Sequence, residues 1–142
     1  EFSVPYAPGE LRAVVLLNGK EIASLAFATA GPPARLRLTA DRQSLRADRN
    51  DLAYVTIEVL DKRGNLVPDA IVPVGFSVAG VAELAGVGSA NPKDAASFRQ
   101  PRRRTFQGRC LAVLRPTGNR GLITLRAEAD GLAGATMRLQ AR

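Results

Sequence analysis

Apolar residues recur at every second position along almost the whole chain, and no segment carries the i, i+3, i+4 stripe of an amphipathic helix. Alternation sends successive side chains to opposite faces of an extended backbone, so such a chain folds as sheets with one buried face. In 52–60, Ala53, Val55, Ile57 and Val59 share one face, and Tyr54, Thr56 and Glu58 share the other. Leu36 and Leu38 oppose Arg35, Arg37 and Thr39 in the same way, and Val72, Val74, Phe76 and Val78 make a further inward row. Phe106, Gly108, Cys110, Ala112 and Leu114 form another within 105–115. Short strands are expected around 82–84, 122–128 and 135–141, with a turn at 61–65 and a long loop over 86–104. About seven strands after residue 34 close two sheets face to face, which predicts an all-β, immunoglobulin-like β-sandwich over 35–142.

Ahead of it, the apolar runs 11–17 and 22–28 meet through Asn18-Gly19-Lys20. Asn-Gly tolerates the positive φ of a tight two-residue turn, so these runs predict an N-terminal β-hairpin. Pro32-Pro33 in Ala30-Gly31-Pro32-Pro33-Ala34 fixes the backbone and withholds two donors, marking a stiff linker. Two strands are marginal alone in water. Residues 1–31 therefore read as the terminal hairpin of a preceding β-sandwich, expected to pack on the main domain or on another chain, and so a candidate homo-oligomer contact. Glu1-Phe2-Ser3 has neither an initiator Met nor a signal-peptide pattern, so the chain is expected to be part of something longer.

One Cys and no His narrow the chemistry. Zinc sites need about four Cys or His ligands, and nucleophile pairs usually need the imidazole. Cys110 falls on an inward row and reads as a buried, inert thiol. The net charge of +7 comes mostly from Arg, scattered except at Arg102-Arg103-Arg104. A nucleic-acid footprint needs a contiguous stripe, so no nucleic-acid partner is expected and the triplet reads as a solvated loop. No apolar run approaches the roughly 20 residues that span a bilayer, and no membrane partner is expected.

Acidic residues are the remaining catalytic currency. Glycoside hydrolysis needs two carboxylates facing each other across a cleft. Glu58, Asp61, Glu83, Asp94, Glu128 and Asp130 fall at outward or turn positions, so no catalytic residue is assigned. Asp48, Asn50 and Asp51 lack the spacing of a calcium loop and read as turn residues, and no metal or cofactor is expected. Gly80, Gly86 and Gly88 precede no helix, so a strand-end turn is expected there rather than a phosphate loop. Tyr6 and Tyr54 are dispersed and make a poor platform for stacking sugars. The candidate glycan or interface contacts are Tyr54, Asn91, Arg102, Arg103 and Arg104.

The block 38–42, 45–48 and 51–59, with Asp61, Gly64-Asn65, Val67-Pro68 and Ala70, resembles the C-terminal immunoglobulin-like domain of family 2 glycoside hydrolases, the β-galactosidase group. The likeness continues through Phe76, Val78, Gly80, Leu84, Gly86-Val87-Gly88, Asn91-Pro92, Phe98, Phe106 and Gly108 to Gly121-Leu122-Ile123 and Gly131-Leu132. Val4-Pro5-Tyr6, Pro8-Gly9-Glu10-Leu11, Asn18-Gly19-Lys20-Glu21 and Thr29-Ala30-Gly31 look like the last strands of the sandwich before it in such enzymes. The family's Asn-Gly-Asp-Pro loop is replaced here by Ser89-Ala90-Asn91-Pro92.

The resemblance implies a non-catalytic accessory domain of a bacterial glycosidase, periplasmic or secreted, whose partners are the other domains of its parent. Its catalytic glutamates would lie on a β/α-barrel that nothing in this sequence matches. A carbohydrate-binding module and an invasin-like adhesin domain are the alternatives.

Overall fold

A computed structural model describes residues 5–142; Val4 and the residues before it lie outside the described residues. The described chain is all strand and loop. After β1 (Glu10–Leu17) and β2 (Lys20–Ala28) come β3 (Pro33–Ala40), β4 (Ser44–Leu45), β5 (Ala53–Asp61), β6 (Pro73–Gly80) and β7 (Ala82–Gly88). The remaining strands are β8 (Arg102–Arg104), β9 (Arg109–Pro116), β10 (Gly121–Glu128) and β11 (Ala135–Ala141). Strands β3-β5-β9-β7 form one sheet and β4-β11-β10-β6-β8 the other, while β1 and β2 pair only with each other. This is the expected immunoglobulin-like sandwich.

The alternation places the core. Val55, Ile57, Ala112 and Leu114 of the four-stranded sheet face Val74, Ile123, Leu125 and Ala127 of the other, all fully buried. Packing two such faces removes enough apolar surface to hold the sandwich without a disulfide, and Cys110 is indeed free. The chain changes sheets between β6 and β7 at Gly80, whose φ is +90° and where a Cβ would come 2.0 Å from the Leu122 carbonyl oxygen. Only glycine fits that corner.

Three expectations need correction. Residues 102–104 are not loop: they pair with β6, Arg103 opposite Val74, and Arg103 is buried. Residues 105–115 are not one strand, because Phe106 and Arg109 exchange backbone hydrogen bonds of 2.8 and 3.0 Å around a tight turn. Gln107 and Gly108 both take positive φ there, and β9 starts only at Arg109. The strand expected at 82–84 runs on to Gly88 across a bulge between Leu84 and Gly86, so the long loop begins at Ser89.

The hairpin forms as its turn demands, with Asn18 at φ +52° and Gly19 at +76° joining β1 to β2. Both strands are exposed along nearly their whole length. Leu11↔Phe27, Ala13↔Leu25 and Val15↔Ala23 are opposite pairs and share one wholly apolar face. The other face carries Arg12, whose guanidinium meets Glu21 at 2.7 Å and lies 3.5 Å from the Ser24 hydroxyl.

Candidate functional site

The chemistry-bearing groups are distributed around the sandwich rather than gathered in one pocket. Asp61, at the end of β5, is buried to 2% exposure. Its Oδ2 accepts the Gly31 N–H at 2.8 Å and the Asn65 side-chain amide at 3.1 Å, and its Oδ1 accepts the Asn65 N–H at 2.8 Å. The hydrogen bond from Gly31 is the main cause that lowers its carboxyl to about 2, with the Asn65 bonds adding to it against the opposing effect of burial. One anion thus ties the linker between hairpin and sandwich to the 61–65 turn. The local pattern Asp-Lys-Arg-Gly-Asn signals the turn but not the burial of its first residue.

Arg103 is the second organising group. Inward alternation on β8 carries its side chain beneath the 89–101 loop, where it is 1% exposed. Its Nη1 donates to Asp94 at 2.7 Å, and its Nη2 reaches the carbonyls of Val87, Ala96 and Ser97 at 3.0–3.2 Å. The guanidinium lies 5.0 Å from the Phe98 ring centre, within cation–π range. The hydrogen bond from Arg103 is the main cause that lowers the Asp94 carboxyl. Of the arginine triplet, only Arg102 and Arg104 point outward. Thr105 follows, buried, its hydroxyl donating to the Ala70 carbonyl at 2.7 Å and accepting the Val72 N–H at 2.9 Å.

The other candidate contacts do not converge. Tyr54 stands 44% exposed on the outer face of the four-stranded sheet, opposite Val113. Arg102 and Arg104 stand on the outer face of the five-stranded sheet, across the sandwich from it. Asn91 is half-buried in a turn, its side-chain oxygen accepting the Lys93 N–H at 3.0 Å. Beside it Ala90 holds φ +56°, at the position where glycine stands in the loop the sequence otherwise resembles.

Several carboxylates are committed to structure. Glu58 takes Arg37 at 2.7 Å and Arg109 at 3.1 Å, and Glu83 takes Arg49 at 2.8 Å. Burial raises the Glu58 carboxyl, but the two arginines outweigh it and leave it lowered. Asp51 is lowered mainly by the Arg46 N–H, and Asp48 accepts the N–H groups of Asn50 and Asp51 in an Asx turn. Every carboxyl with a resolved shift is held as an anion, the reverse of what a general acid needs. Among the described residues, no group of three or more Cys, Asp or Glu is placed to hold a metal ion. Burial pushes the Cys110 thiol up to about 12, which suppresses its thiolate.

The chain has clear relatives. A β-galactosidase of Bacteroides ovatus is 41% identical over 138 residues, which is 97% of this chain and 16% of that protein. The crystal structure of a glycosyl hydrolase family 2 member from Bacteroides cellulosilyticus superposes with a TM-score of 0.90 at 37% identity, over 98% of this chain and 18% of that one. The D00–D0 domain of intimin, at 17% identity and a TM-score of 0.57, shares the fold alone. The chain therefore spans less than a fifth of either glycosidase relative. Residues 36–138, the sandwich whose linker Asp61 secures and whose long loop Arg103 supports, match glycoside hydrolase family 2 C-terminal domain 5, and the chain belongs to that family as a C-terminal accessory domain.

Proposed function

We propose that this domain is a structural unit of a larger, exported bacterial glycosidase acting on β-galactosides or related β-glycosides, joined to the rest of that enzyme through the β1–β2 hairpin. The observation that carries the reading is the hairpin's exposed apolar face, where Leu11, Leu25 and Phe27 are each more than half exposed. The opposite face mixes the Arg12–Glu21 pair with Val14 and Leu16 and is only partly suited to water. A two-stranded ribbon with an uncovered, wholly apolar face is the edge of a sandwich awaiting its second sheet. Residues 1–31 are on this reading the last strands of a preceding sandwich and 35–142 the terminal domain, with Asp61 fixing the join.

The relatives, in which this segment is a small part of a β-galactosidase or family 2 protein, support the choice of parent. Deleting residues 35–142 from the parent is expected to lower its melting temperature or change its oligomeric state, while chemistry at a distant active site persists. A parent unchanged in stability, assembly and kcat/KM would exclude the structural role. Fractionation of the source cells checks the exported location, and enzyme found only in the cytoplasm would exclude it.

A further inference from the structure

The arginines divide unequally between the two faces of the sandwich. On the four-stranded sheet Glu58 neutralises Arg37 and Arg109, Arg115 lies 3.9 Å from Glu83, and of the described arginines there only Arg35 has no carboxylate within salt-bridge distance. On the outer face of the five-stranded sheet stand Arg102, Arg104, Arg126 and Arg138, all exposed. Among the described residues only Arg126 has a carboxylate within salt-bridge distance there, Glu128 at 2.6 Å.

Register places the cations along a trough. Gly75 of β6 pairs with Arg102 on one side and Glu128 on the other, so a residue without a side chain separates them. Arg126 lies two residues before Glu128 and opposite Thr136, and Arg138 is one further outward step along β11. Arg102, Arg126, Glu128, Asp130 and Thr136 line a cleft of about 620 Å³ floored by Gly75, a volume within the range of ligand sites. Leu132, with small neighbours, adds an apolar wall.

We propose that this cleft binds a carboxylated polysaccharide. Arg102 and Arg126 supply planar, forked donors for the carboxylates, and Glu128, Asp130 and Thr136 take sugar hydroxyls. Glu128 and Asp130 need hydroxyl donors close to each anionic group, which a sugar acid carries and the phosphate backbone of duplex DNA does not. The absence of aromatics at the cleft fits recognition by charge and hydrogen bonds rather than by ring stacking. This site is independent of the hairpin and of the role proposed for it.

The test is affinity electrophoresis of the 142-residue chain in gels containing polygalacturonate, neutral galactan or no polymer. Retardation is expected in polygalacturonate alone and is expected to weaken about tenfold in Arg102→Ala and in Arg126→Ala, each losing one charge-assisted contact. Both positions are exposed, so folding is retained, and Arg49→Ala, in the loop before β5 with its side chain on Glu83 of the four-stranded sheet, is expected to bind normally. Thr136→Tyr, which fills the cleft without altering charge, is expected to reduce retardation as well. Unretarded migration in polygalacturonate would overturn the proposal. So would equal weakening by Arg49→Ala, or equal retention of duplex DNA with the same arginine dependence.

Discussion

Arg103 and Asp61 show how a few charged residues set the shape of a domain whose core is otherwise apolar. A guanidinium removed from water costs several kcal/mol unless its donors are met; the two terminal nitrogens of Arg103 meet one carboxylate and three carbonyls, and only its buried Nε is left without a partner. Arg103→Met strands Asp94 and those carbonyls together and is expected to cost about 3 kcal/mol in urea unfolding, with faster proteolysis in 89–101. Arg103→Lys keeps the charge but lacks the fork, and is expected to recover only part of the loss. Ala90 is the opposite case, an L-residue in left-handed backbone at φ +56°. Ala90→Gly is expected to stabilise the chain by about 1 kcal/mol in the same assay, because it relieves the Cβ clash. Asp61 adds pH dependence. Its folded carboxyl sits at about 2, below the ordinary 3.8, so the stability it contributes is full above pH 4 and is lost as pH falls toward 2. Asp61→Asn is expected to lower the urea midpoint at neutral pH and to flatten its fall across that acid window. A fall as steep as in the parent chain would show that other carboxyls govern acid unfolding.

At the scale of elements, legibility follows the clarity of the alternation. β5 is readable because Ala53, Val55, Ile57 and Val59 alternate without interruption, and the hairpin because Asn18-Gly19 admits one turn geometry. β8 is hidden because three successive arginines carry no hydrophobic contrast, so the period of two has nothing to mark it. The available signal is indirect: Asp94 and Phe98 in the preceding loop are the partners a buried arginine needs. β4 is two residues long and too short for any periodicity. The carboxylate of Asp61 reads in sequence as a turn residue because its burial depends on Gly31, 30 residues away. The surface cleft is equally opaque, since β6, β8, β10 and β11 bring its residues together only through sheet order. The hairpin yields an element-scale prediction. With no second sheet over it, the amides of Val14 and Val15 are expected to exchange near free-peptide rates in dilute solution, while those of Val55 and Ala112 stay protected. Equal protection of the two sets, read by mass spectrometry, would mean that the hairpin is covered.

For the molecule as a whole, the hairpin leaves an imbalance that the sandwich does not share. The sandwich closes its apolar faces on each other, whereas Leu11, Val15, Leu25 and Phe27 remain between 54% and 62% exposed. An apolar ribbon with free strand edges recruits whatever surface is complementary, and outside the parent the nearest such surface is the same ribbon on a second copy. Two hairpins meeting through this face would bury the paired side chains, with each Arg12–Glu21 pair left in water. The 142-residue chain is therefore expected to sediment as a concentration-dependent monomer–dimer mixture. A Leu25→Lys and Phe27→Lys double variant is expected to stay monomeric, because two buried ammonium groups cost far more than such a contact returns. Its melting temperature is expected to match that of the parent chain at low concentration, since neither residue touches the sandwich core. A dimer that survives both substitutions would place the contact elsewhere. The natural alternative is the outer face of the four-stranded sheet, where Tyr54 and Val113 lie between ion pairs. A chain that is monomeric at every concentration would show that the ribbon needs the deeper cover of its own parent, and that the face is specific for that partner.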